Sequence, residues 1–420
     1  MLDTGDAIFG FAVAAAIAWL LVPVADWLAW RWGIVDQPGG RRIHLSPRPK
    51  LGGLAMLVAV VAAGVIALPA DPETRAILTG AVVIAIVGMA DDALELSAPV
   101  KLAGQIIAVA IPVGAGVSVT DFTIPFFGRL EPGGVELVSL PWLGMIGLGE
   151  LLTVLGIVAV VNAVNFADGV DGLAAGVVVI SALSLTAIAL SLDRNAAGVL
   201  AAITAGAAFG FLRHGFPPAS SFMGDTGSNL LGYLLGAIAV QGALKTNAVV
   251  AVAFPLAVLT VPLLDTGFVI AKRLKHRRPV FQADTSHFHH RMAGIGFSQR
   301  RTLAYLYGWT LAMAAFALAL RFVPYSDDAG NLDLGWSLVL GAFLLTAIAA
   351  SVYLLVSLEI LKLRRLRSVQ VADAGVPISL DQVDEGVERE LTTGSFAARV
   401  PETGEFEAID PETGTWGPGR

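Results

Sequence analysis

Long apolar runs, each closed by a short polar stretch, recur along almost the whole chain. Eleven of them approach or reach the roughly 20 residues that a membrane-spanning helix needs, and they cover residues 7–30, 51–69, 76–90, 101–118, 141–161, 173–192, 196–212, 227–243, 247–271, 302–323 and 335–361. The third run is short, so its end is expected at or just inside the membrane interface. The ninth contains Pro255 and Pro262, which predict a bent or broken helix. The pattern therefore predicts an all-α polytopic membrane protein of about eleven transmembrane helices.

Two stretches do not follow this pattern. Residues 119–140 alternate in polarity around "EPGG", which predicts a small β-hairpin on the outer, periplasmic or extracellular, face. Residues 368–420 are polar and acidic and repeat "PETG", which predicts a disordered cytoplasmic tail. The sequence thus divides into an integral membrane domain, residues 1–367, and an acidic tail, residues 368–420.

Composition agrees with the membrane assignment and excludes some chemistry. The chain is 55% hydrophobic and only 15% charged, with a mean hydropathy of +0.73. It has no cysteine, which excludes disulfides, thiolate metal sites and thiol nucleophiles. The net charge of −7 belongs to the tail, where eleven acidic residues face three arginines. No nucleic-acid partner is expected for the remaining, nearly neutral part.

The distribution of Lys and Arg sets the expected orientation. With the N-terminus outside, the inner loops hold 19 basic residues and the outer loops hold five. The stretch from Ile8 to Trp30 is too long for a signal-peptide core, so it is interpreted as a retained membrane helix. Four polar groups then fall on the cytoplasmic side, at residues 91–105, 162–176, 222–232 and 277–292. We expect them to form one site at the cytoplasmic interface.

A transporter is the alternative, because polar residues in a membrane bundle also line ion paths. A transport path would place ionisable groups near the bilayer midplane, however. Here the helix centres are almost free of charge. The four groups therefore favour an interfacial enzyme.

The first group opens with two adjacent carboxylates, Asp91 and Asp92. They could simply mark the point where a helix enters water. Adjacent helical residues point about 100° apart, so if both act, they are expected to do different jobs and not to chelate one ion as a pair. Lys101 follows Pro99 at a predicted helix start, where a cation and free N–H groups suit an anion such as a diphosphate.

The second group has a spacing of three, with four polar residues on one helix side: Asn162, Asn165, Asp168 and Asp171. Capping or a solvated loop would explain one or two of them. Four amide and carboxylate groups in one stripe are more than a cap requires, so we expect them to contact a ligand.

In the third group, "GDTGSN" opens an apolar helix. Its polar residues could serve as N-caps. A Gly-rich turn into a helix also presents N–H groups to phosphates, and Asp225 could hold Mg²⁺. Phe222 precedes the turn, either as an interfacial anchor or as a flat surface on which a base stacks.

The fourth group contains half of the six histidines, at His287, His289 and His290. Together with Asp284 they could form a zinc site. Arg277, Arg278 and Arg291 would repel a cation, however, so the loop is better suited to a diphosphate or a sugar.

In combination, these motifs resemble the polyprenyl-phosphate N-acetylhexosamine-1-phosphate transferases, over roughly residues 5–365 and including "RRIHLSPRPKLGG" (41–53). These membrane enzymes transfer a sugar 1-phosphate from a UDP-sugar to a lipid phosphate and release UMP. The stretch "DTSHFHHRM" looks like the branch that uses UDP-N-acetylglucosamine. The branch that uses UDP-N-acetylmuramoyl-pentapeptide carries three consecutive histidines and a phenylalanine, whereas Phe288 interrupts the histidines here. That branch, or another UDP-N-acetylhexosamine, remains the competing interpretation.

The resemblance also implies a role for each residue. Asp225 would bind Mg²⁺ (or Mn²⁺) with Asn165, Phe222 would stack on uracil, and Lys101 would contact the diphosphate. The pair of Asp91 and Asp92 would act on the lipid phosphate. Nucleotide or metal-site support would come from Asp168 and Asp171, sugar-diphosphate contacts from His290 and Arg291, and further substrate contacts from Asn162, His287 and His289.

The resemblance further implies a setting and a mechanism. The expected location is the bacterial plasma (inner) membrane, with the active site facing the cytoplasm and a homodimer as a plausible assembly. The product would begin a cell-envelope glycopolymer. Direct attack by the lipid phosphate is favoured over a covalent aspartyl intermediate, because a phosphate dianion needs little help as a nucleophile.

Overall fold

The computed structural model describes residues 2–37, 46–120, 122–124, 128–140, 144–242, 298–325 and 333–373. Most of these residues are helical. The helices are α1 (Thr4–Trp32), α2 (Gly52–Ala67), α3 (Pro72–Leu94), α4 (Ala98–Gly114), α5 (Leu148–Ala167), α6 (Leu173–Ser191), α7 (Asn195–Gly215), α8 (Gly224–Gly242), α9 (Gln299–Phe322) and α10 (Leu334–Asp373).

Seven of the described helices are long and apolar enough to cross a membrane, and α2 and α4 are shorter apolar helices. Ten of the eleven predicted apolar segments overlap a described helix. The ninth, 247–271, lies outside the described residues together with Pro255 and Pro262. A mostly helical, multi-pass membrane protein is therefore confirmed, whereas eleven spans and the orientation of the chain remain predictions.

Short strands form three antiparallel pairs. β1 (Val35–Asp36) pairs with β2 (Arg48–Pro49), β3 (Phe122–Ile124) with β4 (Gly128–Leu130), and β5 (Glu136–Leu140) with β6 (Gly144–Gly147). Between β4 and β5, the predicted hairpin turn "EPGG" forms a 3₁₀ turn over Pro132–Gly134. The fixed φ of a proline suits the first residue of such a helical turn. This region therefore contains two short strand pairs in place of one hairpin centred on "EPGG".

Side-chain caps fix where several helices begin. Asp3 accepts hydrogen bonds from the N–H groups of Gly5 and Asp6, and the Asp6 side chain accepts one from the Asp3 N–H. Asp71 caps α3 through the Thr74 N–H at 2.9 Å, and Pro72 occupies the first turn. These caps satisfy N–H groups that have no partner inside the helix.

Glycines allow the helices to pack closely. A Cβ on Gly206 of α7 would lie 2.2 Å from the backbone oxygen of Phe11 in α1. A Cβ on Gly88 of α3 would lie 2.4 Å from the backbone oxygen of Asp225. Small residues permit such backbone approaches in membrane bundles. The second contact holds the end of α3 against the start of α8.

The last helix is longer than the sequence predicts. It continues through Asp373, six residues into the segment predicted as tail, and residues 374–420 lie outside the described residues. The chain divides into two units, Met1–Val356 and Ser357–Arg420. The first unit holds every element from α1 to α9.

Candidate active site

A cavity of about 530 Å³ lies where the ends of α5, α7 and α8 meet the β1–β2 region. This volume falls within the range of ligand pockets, about 300–1,000 Å³. Its polar walls come from residues that are far apart in sequence. They include Asp36, Ser46, Arg48, Lys50, Asn165, Asp168, Asp171, Ser221, Asp225 and Gln299.

Asp225, in the first turn of α8, connects two neighbouring helices. Its Oδ2 accepts a hydrogen bond from Lys101 Nζ of α4 at 3.0 Å. Its Oδ1 accepts one from Asn165 Nδ2 of α5 at 3.0 Å, and the same amide group donates to Ser228 Oγ at 2.9 Å. The carboxylate is therefore held at a fixed position on the cavity wall.

Lys101 also forms an ion pair with Asp91 at the end of α3. The second carboxylate oxygen of Asp91 accepts the Leu96 N–H at 2.8 Å. The Lys101 side chain is 35% exposed, and its ammonium group pairs with both carboxylates. A partly exposed lysine in this position can bind an incoming phosphate while it stays close to both carboxylates.

The side chain of Asp92 is buried, as that of Asp91 is, but its contacts are different. Its Oδ1 accepts the Asp225 N–H, and its Oδ2 accepts both the N–H and the hydroxyl of Thr226, each at 2.9 Å. Lys50 Nζ lies 3.5 Å from the same carboxylate. Asp92 therefore caps α8 from another helix and fixes the turn that carries Asp225. Its contacts favour positioning over direct action on substrate, whereas Asp91 lies beside the accessible lysine.

The turn before α8 requires a glycine. Gly224 has φ +64°, a conformation that side chains disfavour. A Cβ there would also lie 2.4 Å from both Asp92 Oδ2 and the Lys50 backbone oxygen. The glycine thus lets Asp92, Lys50 and the start of α8 meet.

The second motif divides between two environments. Asn162 Nδ2 donates to Gln105 Oε1 of α4 and to the Val158 backbone oxygen, each at 2.8 Å. Asn162 is not among the residues that line the cavity, whereas Asn165 is. The first residue of the stripe joins α4 to α5, and its predicted substrate contact gains no support from these contacts.

Asp168 and Asp171 follow α5 and both line the cavity. Asp171 Oδ2 accepts the Ala219 N–H at 3.1 Å, which ties the two cavity walls together. Burial raises the pKa of Asp168 well above its usual range, and the charges of Asp225, Asp92 and Asp171 add to this effect. The region holds excess negative potential, which suits a cation.

Phe222 is half-buried on the cavity wall. Its N–H donates to the Pro49 oxygen at 2.9 Å, and its oxygen accepts the Gly52 N–H at 3.0 Å. These bonds attach the backbone of Phe222 to β2 and to the start of α2. The predicted residues His287, His289, His290 and Arg291 lie outside the described residues.

Three cavity residues carry chemistry that sequence reasoning did not assign to the site: Asp36, Arg48 and Lys50. Asp36 is buried in β1, and the other two lie in and beside β2. In the sequence, Arg48 and Lys50 contribute only to the charge asymmetry that predicts the orientation. Both residues lie in the stretch "RRIHLSPRPKLGG", which is part of the family resemblance. That stretch was the signal that could have predicted their place at the site.

No three His, Asp or Glu side chains converge as a metal cage in the described ranges. Mg²⁺ does not need such a cage, because it commonly uses one or two carboxylates with waters and substrate phosphates. Asp225 is suitably placed on the cavity wall, and its charge is among those that raise the pKa of the neighbouring Asp168. Asn165 turns its N–H toward Asp225, so in this arrangement it orients the carboxylate. A role as a metal ligand requires its amide to rotate.

Comparison with known proteins identifies relatives along most of the chain. A probable undecaprenyl-phosphate N-acetylglucosaminyl 1-phosphate transferase of Bacillus subtilis is 36% identical over 315 residues, 74% of this chain and 84% of the relative. A decaprenyl-phosphate N-acetylglucosaminephosphotransferase of Mycobacterium tuberculosis is 35% identical over 370 residues, 81% of this chain and 87% of the relative. A phospho-N-acetylmuramoyl-pentapeptide-transferase of Desulforudis audaxviator is 31% identical over 332 residues, 74% of this chain and 95% of the relative.

The matched family is described as glycosyl transferase family 4 and covers residues 74–243. This range runs from α3 to the end of α8 and contains Asp91, Asp92, Lys101, Asn165 and Asp225. The resemblance inferred from the sequence is confirmed. By the family match and by identity across most of its length, the chain belongs to glycosyl transferase family 4.

Proposed function

We propose that this protein transfers N-acetylglucosamine 1-phosphate from UDP-N-acetylglucosamine to a polyprenyl phosphate, giving polyprenyl-diphosphate-N-acetylglucosamine and UMP. The names of its Bacillus and Mycobacterium relatives support this donor sugar and this class of acceptor. The observation that carries the proposal is the fixed position of Asp225. It lies between Lys101 and Asn165 on the wall of a cavity that Phe222 also lines.

The cavity suits the nucleotide end of such a donor. Phe222 offers a flat surface on which uracil stacks. Arg48 and Lys50 line the same space and would bind the negatively charged diphosphate. The histidine loop at 287–290, with Arg291, is proposed to contact the sugar and its phosphate.

The acceptor would bind on the other side of Asp225, beside Lys101 and Asp91. Lys101 would hold the lipid phosphate, and Asp91 would orient it or remove a residual proton. A lipid-phosphate oxygen would attack the sugar-bearing phosphorus. The anhydride bond between the two donor phosphorus atoms would break, and UMP would leave with that electron pair. Since one anhydride replaces another, the reaction is expected to be close to thermoneutral.

The contacts of Asp92 support direct attack over an aspartyl intermediate. Both of its oxygens accept hydrogen bonds from the start of α8, and its side chain is nearly inaccessible. Asp91 is held by the Leu96 N–H and by Lys101. A nucleophilic aspartate would have to break such contacts.

Mg²⁺ is the proposed cofactor, with Mn²⁺ as a substitute, and Asp225 is its proposed ligand. When bound, the ion would neutralise charge on the donor diphosphate. The protein's own contribution is to hold Asp225 rigidly through Asp92, Asn165 and Lys101. Such pre-organisation reduces the rearrangement needed during transfer.

The proposed setting is the bacterial plasma membrane, with the cavity open to the cytoplasm. A soluble sugar nucleotide and a membrane-bound phosphate meet at an interface, and the charge distribution of the loops supports the cytoplasmic one. A homodimer and a role in starting a cell-envelope glycopolymer complete the proposal.

UMP release by the purified full-length protein tests this function. The assay supplies polyprenyl phosphate, Mg²⁺ and, in separate reactions, UDP-N-acetylglucosamine, UDP-N-acetylgalactosamine and UDP-N-acetylmuramoyl-pentapeptide. Release that depends on UDP-N-acetylglucosamine and on the lipid is expected. Release only with the muramoyl-pentapeptide donor would establish the competing assignment, and no release with any donor would overturn both.

A further inference from the structure

Asp26 is a carboxylate that none of the roles described above uses. It lies in α1 within the apolar stretch "LLVPVADWLAW", residues 20–30. The helix α1 is one of the candidate membrane spans. An ionisable group in such a helix is costly and commonly has a functional partner. Its contacts therefore indicate what it does.

The partner of Asp26 is a cavity residue. Ser221 Oγ donates a hydrogen bond to Asp26 Oδ1 at 2.6 Å. Ser221 is 0% exposed, yet it is one of the residues that form the cavity wall. This contact joins α1 to the cavity across 195 residues of sequence.

Ser221 belongs to the segment that carries Phe222, whose ring is proposed to stack on uracil. Residues 216–223 connect α7 to α8, and Phe222 directly follows Ser221. Backbone bonds hold this segment to its neighbours: the Ser220 N–H donates to the His214 oxygen at 2.8 Å, and the Phe222 N–H donates to the Pro49 oxygen. The Ser221 hydroxyl adds a side-chain attachment to α1. Without it, the residue next to Phe222 would lose its side-chain attachment to α1.

We propose that Asp26 is a positioning residue for nucleotide binding, acting through Ser221 to hold Phe222 where uracil stacks. The inference rests on the proposed function, because it requires a UDP-sugar in the cavity. It predicts an effect on donor binding and not on the acceptor. Lys101 and Asp91, proposed for the acceptor, lie on other helices, α4 and α3, and pair with each other.

Steady-state kinetics of the full-length protein test the inference, with Asp26→Ala, Ser221→Ala and Asp26→Asn as variants. The first two are expected to raise KM for UDP-N-acetylglucosamine about tenfold, the effect of losing one charge-assisted hydrogen bond. The kcat and the KM for polyprenyl phosphate should change by less than about twofold. Asp26→Asn keeps an oxygen that accepts from the Ser221 hydroxyl, so it should restore most of the donor affinity.

A double variant and a matched control sharpen the result. If Asp26 acts through Ser221, the double Ala variant should raise KM no further than either single one, because both remove the same contact. Ser184→Ala is the control, since the Ser184 hydroxyl is also buried and bonded, to the Ile180 oxygen at 2.9 Å, but lies in α6 away from the cavity. It should leave both KM values unchanged.

Several results would overturn the inference while leaving the proposed function intact. One is an unchanged donor KM in both Asp26→Ala and Ser221→Ala. Another is an equal rise in both KM values together with a lower unfolding temperature, which would mark a structural role only. If Asp26→Ala does not fold, the Ser221→Ala and Asp26→Asn proteins decide the matter. Wild-type protein that releases no UMP from any UDP-sugar would overturn the function and the inference together.

Discussion

Asp92 at the end of α3 accepts a hydrogen bond from the backbone N–H of Asp225 at 2.9 Å. The same carboxylate binds Thr226 twice, so one residue of α3 satisfies the first turn of α8. The adjacent Asp91 instead pairs with Lys101. Two neighbours in sequence thus do separate jobs, one inside the protein and one beside the cation proposed to bind phosphate.

This separation predicts different outcomes for Asp91→Ala and Asp92→Ala. Asp92→Ala leaves buried N–H groups without a partner and should lower the free energy of unfolding by about 1–3 kcal/mol, with loss of activity. Asp91→Ala should lower kcat strongly while reducing stability less, because Asp91 accepts one backbone N–H, that of Leu96, whereas Asp92 accepts two. Thermal unfolding in detergent and UMP release measure the two effects. Equal destabilisation by both variants would contradict the division of roles.

Asp225→Asn should lower metal-dependent UMP release by at least about 100-fold, a typical effect of removing one electrostatic contact from a transition state. The amide still accepts a hydrogen bond from Asn165, so folding should be retained. Asp193→Asn, an exposed change just after α6, is the control and should be neutral. Near-normal turnover by Asp225→Asn would refute its proposed metal role.

Gly224→Ala should impair both folding and turnover. The added Cβ would lie 2.4 Å from Asp92 Oδ2 at a residue whose φ is +64°. Gly156→Ala in α5 is the matched control, because nothing lies within 4 Å of its added Cβ. That change should be neutral or should stabilise the helix by about 0.5–1 kcal/mol. Similar unfolding temperatures for the two variants would show that the turn before α8 tolerates a side chain.

Removing residues 374–420 should leave UMP release intact. Every described residue of the site lies before this point, and the segment carries most of the chain's net negative charge. The truncation keeps all of α10, which ends at Asp373. Loss of activity in a truncated protein that still folds would give the acidic segment a role in the reaction.

The sequence predicted most helices because a membrane helix requires a long apolar run. It placed the end of α3 too early, at residue 90, whereas the helix continues to Leu94. One interpretation of Asp91 and Asp92 was that they mark the point where a helix enters water, but both lie in the last turn of α3 and make their hydrogen bonds and ion pairs from there. Apolar content alone does not predict a final helical turn that is polar, as the last turn of α3 is.

Side-chain partners were harder to predict than helices. The spacing of Asn162 and Asn165 suggested one shared face, yet the first bonds Gln105 and the second bonds Asp225. Residues three apart do not lie directly above one another on a helix. One turn is therefore enough to place Asn162 at a helix–helix contact and Asn165 on the cavity wall. Asp26 did carry a signal, a lone charge in an apolar helix, but its partner Ser221 lies far away in sequence.

The fate of the donor's phosphorus atoms tests the central claim most directly. Purified protein is given polyprenyl phosphate, Mg²⁺ and UDP-N-acetylglucosamine labelled with ³²P at the sugar-bearing phosphate. Transfer of the sugar 1-phosphate predicts label in the lipid product and unlabelled UMP in solution. Label recovered in UDP would show transfer of the sugar alone, and absence of labelled lipid would contradict the proposed reaction.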